Sequence, residues 1–221
     1  MGLAVFDLDN TLLAGDSDHA WGEFLILKGL ADEASHRTKN DWFYNEYQAG
    51  RLDINQYVKF TLSPVLHKPL DQLKLLHQEF LQTCVRPMIL PKARRLVSAH
   101  KNNGDYCLIM SATNIFITQP ISEVFDVDEI MATDLVMENG YYTGEIDGIP
   151  CFQEGKLVRL NNWLELQNER YSLSNCSFYS DSQNDIPLLE AVSNPVAVDP
   201  DAELKKIAES NRWKVISLRQ A

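Results

Sequence analysis

The chain has 221 residues, 45% of them hydrophobic and 23% charged, and its 31 Asp and Glu outnumber its 20 Lys and Arg to give a net charge of −11. At 25.2 kDa it buries enough surface for a core without metal or disulfide staples, and its composition excludes a disordered, collagenous or coiled-coil protein. The acidic field repels a polyanion, which also excludes nucleic-acid binding through the phosphate backbone.

The first stretch, Met1 to Leu13, carries Asp7 and Asp9 and no basic run, so it does not read as a signal peptide. No apolar run approaches the roughly 20 residues that cross a bilayer, so a membrane partner is not expected. Cys84, Cys107, Cys151 and Cys176 form no CxxC pair and read as free thiols of a cytoplasmic protein. Leu3 to Leu8 is a short apolar run that stops at acidic residues, the pattern of a buried strand.

From Asp18 to Thr83 the text reads as helix throughout, with candidates Ala20–Lys28, Asp32–Tyr47, Asn55–Leu62 and Leu70–Thr83. Leu70, Leu73, Leu76 and Phe80 recur at helical spacing, as a core stripe does. Trp42, Phe43, Tyr44, Tyr47 and Tyr57 read as a small bundle core rather than a binding cage. His19 and Trp21 serve either substrate contact or packing, and Arg51 either meets a substrate carboxylate or is exposed. His36, His67, His77 and His100 lack metal-ligand spacing and read as solvated or capping residues.

Near Pro87 the pattern changes to helices and strands in alternation. Helices are expected over Pro91–Asn103, Lys156–Asn168, Ile186–Val192 and Asp201–Glu209. Strands are expected over Tyr106–Met110, Cys176–Ser180, Val196–Val198 and Trp213–Leu218. Asn139-Gly140, inside Leu135–Ile146, reads as a hairpin turn, and Lys92, Arg94 and Arg95 form a solvated basic face. Such alternation implies an α/β fold, a parallel sheet covered on both faces. The chain accordingly divides into a core, 1–16 and 87–221, and an all-helical insert, 17–86.

The chemistry gathers at strand ends. Asp7 and Asp9 stand two residues apart after the first strand, where open α/β sheets place their sites. Paired carboxylates repel unless a shared proton or a cation intervenes, and a hard cation such as Mg²⁺ suits oxygen ligands. Asp181 and Asp185 repeat the pattern after another strand, although Asp185 is equally a helix-capping type at its position. Ser111-Ala112-Thr113 offers hydroxyl and backbone N–H donors to a phosphate. Lys156 stands at a helix start, against the dipole, which points to a role other than helix stability.

Asp7-Leu8-Asp9-Asn10-Thr11, Ser111, Lys156 and Asp181 with Asp185 resemble the four motifs of the haloacid dehalogenase (HAD) superfamily. The helical insert resembles the type C1 cap of its phosphoserine phosphatase-like branch. The resemblance implies a Rossmann-like core and a phosphomonoester hydrolase in which Asp7 is the nucleophile and Asp9 the general acid and base. It implies Mg²⁺ held by Asp7, Asp9 (through its backbone carbonyl) and Asp181, with Asp185 supporting. It implies a phosphate gripped by Ser111, Ala112, Lys156 and Asn184. An Asp at the position of Asp9 goes with phosphatases and phosphomutases rather than dehalogenases, and no GxxxxGK[ST] loop suggests a kinase.

Phosphoserine phosphatases hold the substrate amine with an acid after the first motif, here Asp16, and its carboxylate with a cap arginine, here replaced by Thr61. The expected substrate is therefore a small cytosolic amino-alcohol phosphate, with L-histidinol phosphate leading and its ring near Trp42 or Tyr47. Phosphoserine or another small metabolite is the alternative. A phosphomutase, a phosphotransferase or an inactive binding protein of the same fold are more remote.

Overall fold

The computed structural model describes residues 2–219. β1 (Leu3–Phe6) leads into four helices, α1 (Ser17–Leu27), α2 (Glu33–Gln48), α3 (Ile54–Leu62) and α4 (Leu70–Phe80). Then come α5 (Pro91–Asn102), β2 (Tyr106–Asn114), α6 (Ile115–Ser122), β3 (Glu129–Thr133) and a hairpin of β4 (Leu135–Glu138) and β5 (Tyr141–Ile146). α7 (Glu154–Glu165), β6 (Cys176–Ser180), α8 (Ile186–Ala191), β7 (Asn194–Val198), α9 (Ala202–Asn211) and β8 (Lys214–Ile216) follow.

Local chemistry sets several of these boundaries. Asp16, Asp32 and Asp53 each cap the helix that follows, accepting from the backbone N–H of His19, Ser35 and Gln56. Pro91 opens α5, where its missing N–H costs nothing. Gly50 turns the chain between α2 and α3 at φ +70°, a conformation that favours glycine.

β1, β2, β3, β6, β7 and β8 form one parallel sheet in the order β3-β2-β1-β6-β7-β8. The α/β class is as expected. The chain leaves β1 for β2 on one side and returns to β6 on the other, so a crevice opens beyond the carboxyl end of β1. Phe6 pairs in register with Ile109 and Tyr179, which brings Asp7, Ser111 and Asp181 to one edge.

Side chains of β1 alternate between two cores. Leu3 and Val5 pack with Leu108, Leu160, Phe178 and Leu204 on one face. Ala4 and Phe6 pack on the other with Ile109, and the same apolar cluster continues through Trp21, Phe24, Val58, Leu73 and Phe80 of the helical segment. That segment thus shares the sheet's own core, while Phe43, Leu52, Ile54, Tyr57, Phe60 and Phe152 form a separate small cluster.

Several elements depart from expectation. β3 is not anticipated by the sequence patterns, and α6 follows β2 directly where a loop leading into a helix is expected. β2 runs on to Asn114, so Ser111 lies inside the strand rather than at its end. There β2 advances from Met110 to Asn114 while β3 advances only from Met131 to Thr133, a bulge that re-aims the residues between. α4 gives way at Leu81 to a single wide turn ending at Val85. His36 and His77 are buried rather than solvated: His36 stacks on Phe60 and His77 bonds the carbonyl of Ile117 at 2.9 Å. The four cysteines are free, and no helix among the described residues is long and apolar enough to cross a membrane.

Candidate active site

Asp7 follows β1 directly, and its N–H donates to the carbonyl of Tyr179 at 2.9 Å. Its carboxylate is buried. Oδ1 accepts from Lys156 Nζ at 2.8 Å, while Oδ2 is buried with no hydrogen-bond partner. Lys156 is 1% exposed and also meets both oxygens of Asp185 at 2.8 Å. Gly155 lets the start of α7 approach the carbonyl of Pro150, where a Cβ would collide. The lysine is therefore an internal cation clamped between two carboxylates, which accounts for its place against the helix dipole.

Asp185 precedes α8 but its carboxylate caps nothing. It turns inward to Lys156 and accepts from Ser180 Oγ at 2.6 Å. Asp181 follows β6 and exchanges two hydrogen bonds of 3.0 Å with Thr11, whose hydroxyl donates to Oδ1 and accepts from the Asp181 N–H. The Thr of the first motif thereby fixes the acid of the last.

Asp9 accepts from the N–H of Ser17 at 2.6 Å and from Thr113 Oγ1 at 2.9 Å. Ser111 Oγ lies 3.4 Å from the same carboxylate and accepts from the Thr113 N–H at 3.2 Å. Asn184 bonds the helical segment: its amide donates to the carbonyl of Tyr47 at 2.9 Å and accepts from Gln153 at 3.2 Å. Gln153 also donates to the carbonyl of Gly50 and Gln183 to that of Gln48, at 3.2 and 2.6 Å. Three side-chain amides thus fasten the loop between α2 and α3 over the strand ends.

Beneath that loop lies a cavity of about 20 Å³, room for little more than a water molecule. Asp7, Asp9, Asp16, Asp18, Tyr44, Tyr47, Tyr57, Leu52 and Ile54 line it with Ser111, Ala112 and Thr113. Tyr44, Tyr47 and Tyr57 are thus site walls as well as packing, contrary to the reading of a plain bundle core. Trp42 is 50% exposed and packs on Phe43 outside the cavity, so it offers no wall to a ligand there. Arg51 is exposed and paired with Glu46 at 2.8 Å. His19 bonds Asp41 at 2.8 Å and lies against Tyr44, and Trp21 is sealed in the aromatic core. Thr113, expected as a phosphate donor, gives its hydroxyl to Asp9, and Gln153 is a site residue that the sequence patterns do not single out.

Burial dominates the electrostatics. It pushes the Asp7 carboxyl up to about 7 against the opposing pull of Lys156, with Asp185 and Asp9 adding to the rise. Burial, then Asp16, raises Asp9 to about 6 against the hydrogen bonds from Ser17 and Thr113. Asp181 is raised by burial, then by Asp7 and Asp185. Lys156 is raised because the two carboxylates outweigh its burial.

Such shifts set a pH dependence for the metal-free protein. Asp7 and Asp9 bind protons more tightly folded than unfolded, so their contribution is full below the unfolded pKa of about 4 and is lost as pH rises through about 6 and 7. The loss is on the order of a few kcal/mol. Thermal unfolding with a chelator present is expected at a lower temperature at pH 8 than at pH 5.5. A midpoint that is flat or rises over that range contradicts the arrangement.

The orphaned Asp7 Oδ2 and the all-oxygen donors fit a hard cation. Among the described residues no three His, Cys, Asp or Glu side chains close around one point. The Asp185 carboxylate is taken by Lys156 and Ser180, and that of Asp9 by Ser17 and Thr113. Asp7 and Asp181 are left as side-chain donors, to be completed by backbone or water oxygens.

The model of the haloacid dehalogenase-like hydrolase family matches residues 4–190. A histidinol-phosphatase of Neisseria meningitidis serogroup C is 46% identical over 219 residues, spanning 98% of this chain and 99% of that protein. A crystal structure of a protein of unknown function from Bordetella pertussis Tohama I superposes with a TM-score of 0.90 at 41% identity, covering 98% of each chain. A phosphoserine phosphatase solved as a phospho-aspartyl intermediate analogue shares the fold, with a TM-score of 0.72 at 17% identity over 99% of this chain and 94% of that one. The chain belongs to the haloacid dehalogenase-like hydrolases. Within that family it is a phosphatase.

Proposed function

We propose that this phosphatase is a cytoplasmic, Mg²⁺-dependent enzyme that hydrolyses L-histidinol phosphate through an aspartyl-phosphate at Asp7. The observation that carries the substrate is the lining of the cavity: four carboxylates and three tyrosines, with no Lys, Arg or His among them. Where phosphoserine phosphatases carry an arginine for the substrate carboxylate, Thr61 is buried and brings no charge. A substrate carboxylate would stand unpaired among acids, whereas an amino alcohol brings the opposite charge. The similarity to a histidinol-phosphatase over nearly the whole of both chains supports the same choice.

In this reading an Asp7 oxygen attacks phosphorus, and the bond from phosphorus to the ester oxygen breaks. Asp9 gives its proton to the departing alkoxide and then takes one from the water that attacks the aspartyl-phosphate, releasing phosphate and free Asp7. A carboxyl raised to about 6 is suited to both transfers near neutral pH. Thr113 and the Ser17 N–H aim Asp9 at the reacting atoms, and Lys156 orients Asp7. Ser111, the Ala112 backbone and Asn184 contact the phosphate side of the substrate. Asp7, Asp181 and the Asp9 carbonyl, with Asp185 in support, would hold Mg²⁺, which when bound would supply positive charge against the phosphoryl oxygens.

The test compares kcat/KM for L-histidinol phosphate, phosphoserine, ethanolamine phosphate and glycerol phosphate at one Mg²⁺ concentration. Histidinol phosphate is expected to lead, with phosphoserine lower by about a hundredfold or more. A lead for phosphoserine would overturn the assignment. Release of an isomerised ester in place of inorganic phosphate would make the protein a mutase.

A further inference from the structure

Asp18 stands out among the cavity residues because its buried carboxyl has the Thr61 hydroxyl beside it but no cation among the groups that act on it. It lies in the first turn of α1 yet is 4% exposed, and its Oδ1 is buried with no hydrogen-bond partner. Asp16, two residues earlier, is half-buried and has a structural task, capping α1 through the N–H of His19 at 2.8 Å. Asp18 has no such task. A buried carboxylate with one oxygen unpartnered and no cation beside it costs stability, so a ligand is the natural source of the missing partner.

We infer that Asp18 is a specificity-determining residue that binds a second nitrogen donor of the substrate, so that the enzyme is built for phosphate esters whose alcohol carries two protonatable nitrogens. The inference rests on the proposed function and extends it. The phosphoryl end of the ester is served by Asp7, Asp9, Lys156 and the cation. Asp16 is placed to receive a single ammonium group. A second acid lining the same cavity, with Tyr57 in its wall, suits a nitrogen carried further along the alcohol, on an aromatic ring as readily as on an alkyl chain. Burial, followed by Asp16 and Asp9, raises the Asp18 carboxyl well above its ordinary value against the hydroxyl of Thr61. An arriving cation offsets that cost where water cannot.

The test uses three substrates with no, one and two cationic nitrogens: p-nitrophenyl phosphate, ethanolamine phosphate and L-histidinol phosphate. In Asp18→Asn, the ratio of kcat/KM for histidinol phosphate to that for p-nitrophenyl phosphate is expected to fall by about tenfold to a hundredfold, the scale of one charge-assisted hydrogen bond. The loss should lie mainly in KM, and inhibition by the product L-histidinol should weaken in parallel. A ratio unchanged to within about threefold overturns the inference even if wild type prefers histidinol phosphate. If wild type shows no preference for histidinol phosphate over ethanolamine phosphate, the two-nitrogen class is refuted. If it prefers phosphoserine, the proposed function itself fails. Thermal unfolding of the variant separates the roles further: losing an unpartnered buried charge should leave the midpoint unchanged or higher, and a lower midpoint would make Asp18 structural. Asp18→Ser, read in the same way, serves if the Asn variant does not fold.

Discussion

Asp7→Asn is expected to lower phosphate release by about 10⁴-fold or more, because the amide keeps the shape of the side chain but has no anionic oxygen for attack. The protein should nevertheless fold. Asp7 Oδ2 is buried without a partner, and burial holds the carboxyl up at about 7, so the native state carries this charge at a cost. Lys156 retains Asp185 at 2.8 Å when Asp7 loses its charge. The expected pattern is therefore activity lost and thermal midpoint kept or raised at pH 8. A variant that turns over near the wild-type rate would remove Asp7 from the chemistry.

Lys156→Met has the opposite profile, damaging both fold and function. Methionine matches the length of the aliphatic stem but leaves Asp7 and Asp185 facing each other in a buried site. Removing one partner of a buried ion pair costs about 3–5 kcal/mol, since the remaining charge finds no solvent. Ser180, at 2.6 Å from Asp185, and the ring of Phe178, 5.8 Å from the ammonium, cannot replace the cation. Turnover should vanish, and the thermal midpoint should drop more at pH 8 than at pH 5.5, where the carboxyls can take up protons. An unaltered midpoint at pH 8 would contradict the clamp.

Much of this site was legible because its residues stand where apolar runs stop. Asp7, Asp9, Asp181 and Asp185 each follow a strand that is readable as a short buried run, and Lys156 is marked by its conflict with the helix dipole. β3 escaped because Glu129-Ile130-Met131-Ala132-Thr133 is short and carries no turn signal of its own. The extent of α6 was not legible because its eight residues include Pro120 and three isoleucines, a poor helix on local grounds that packing against the sheet nonetheless holds. The bulge in β2 arises from its mismatch with β3, a relation between distant strands that no local period reports.

The helical segment was legible as helices but not as a wall of the site. Tyr44, Tyr47 and Tyr57 carry the same spacing as core aromatics, and only the fastening of the α2–α3 loop by Gln153, Gln183 and Asn184 turns them toward Asp7. Asp18 had a faint signal. It repeats, with Asp16, the i, i+2 spacing of Asp7 and Asp9, although a helix start enriched in acids accounts for that pattern equally well. What distinguishes it is burial with one oxygen left unpartnered, which only the fold reveals.

The covalent role of Asp7 is tested most directly by acid-quenching the enzyme within its first turnovers of phosphate-labelled L-histidinol phosphate and locating the label by peptide mapping. The account predicts a base-labile acyl phosphate on the peptide that contains Asp7, absent from the Asp7→Asn protein. Steady phosphate release with the label on another residue, or with none trapped at any time in the turnover, would contradict it.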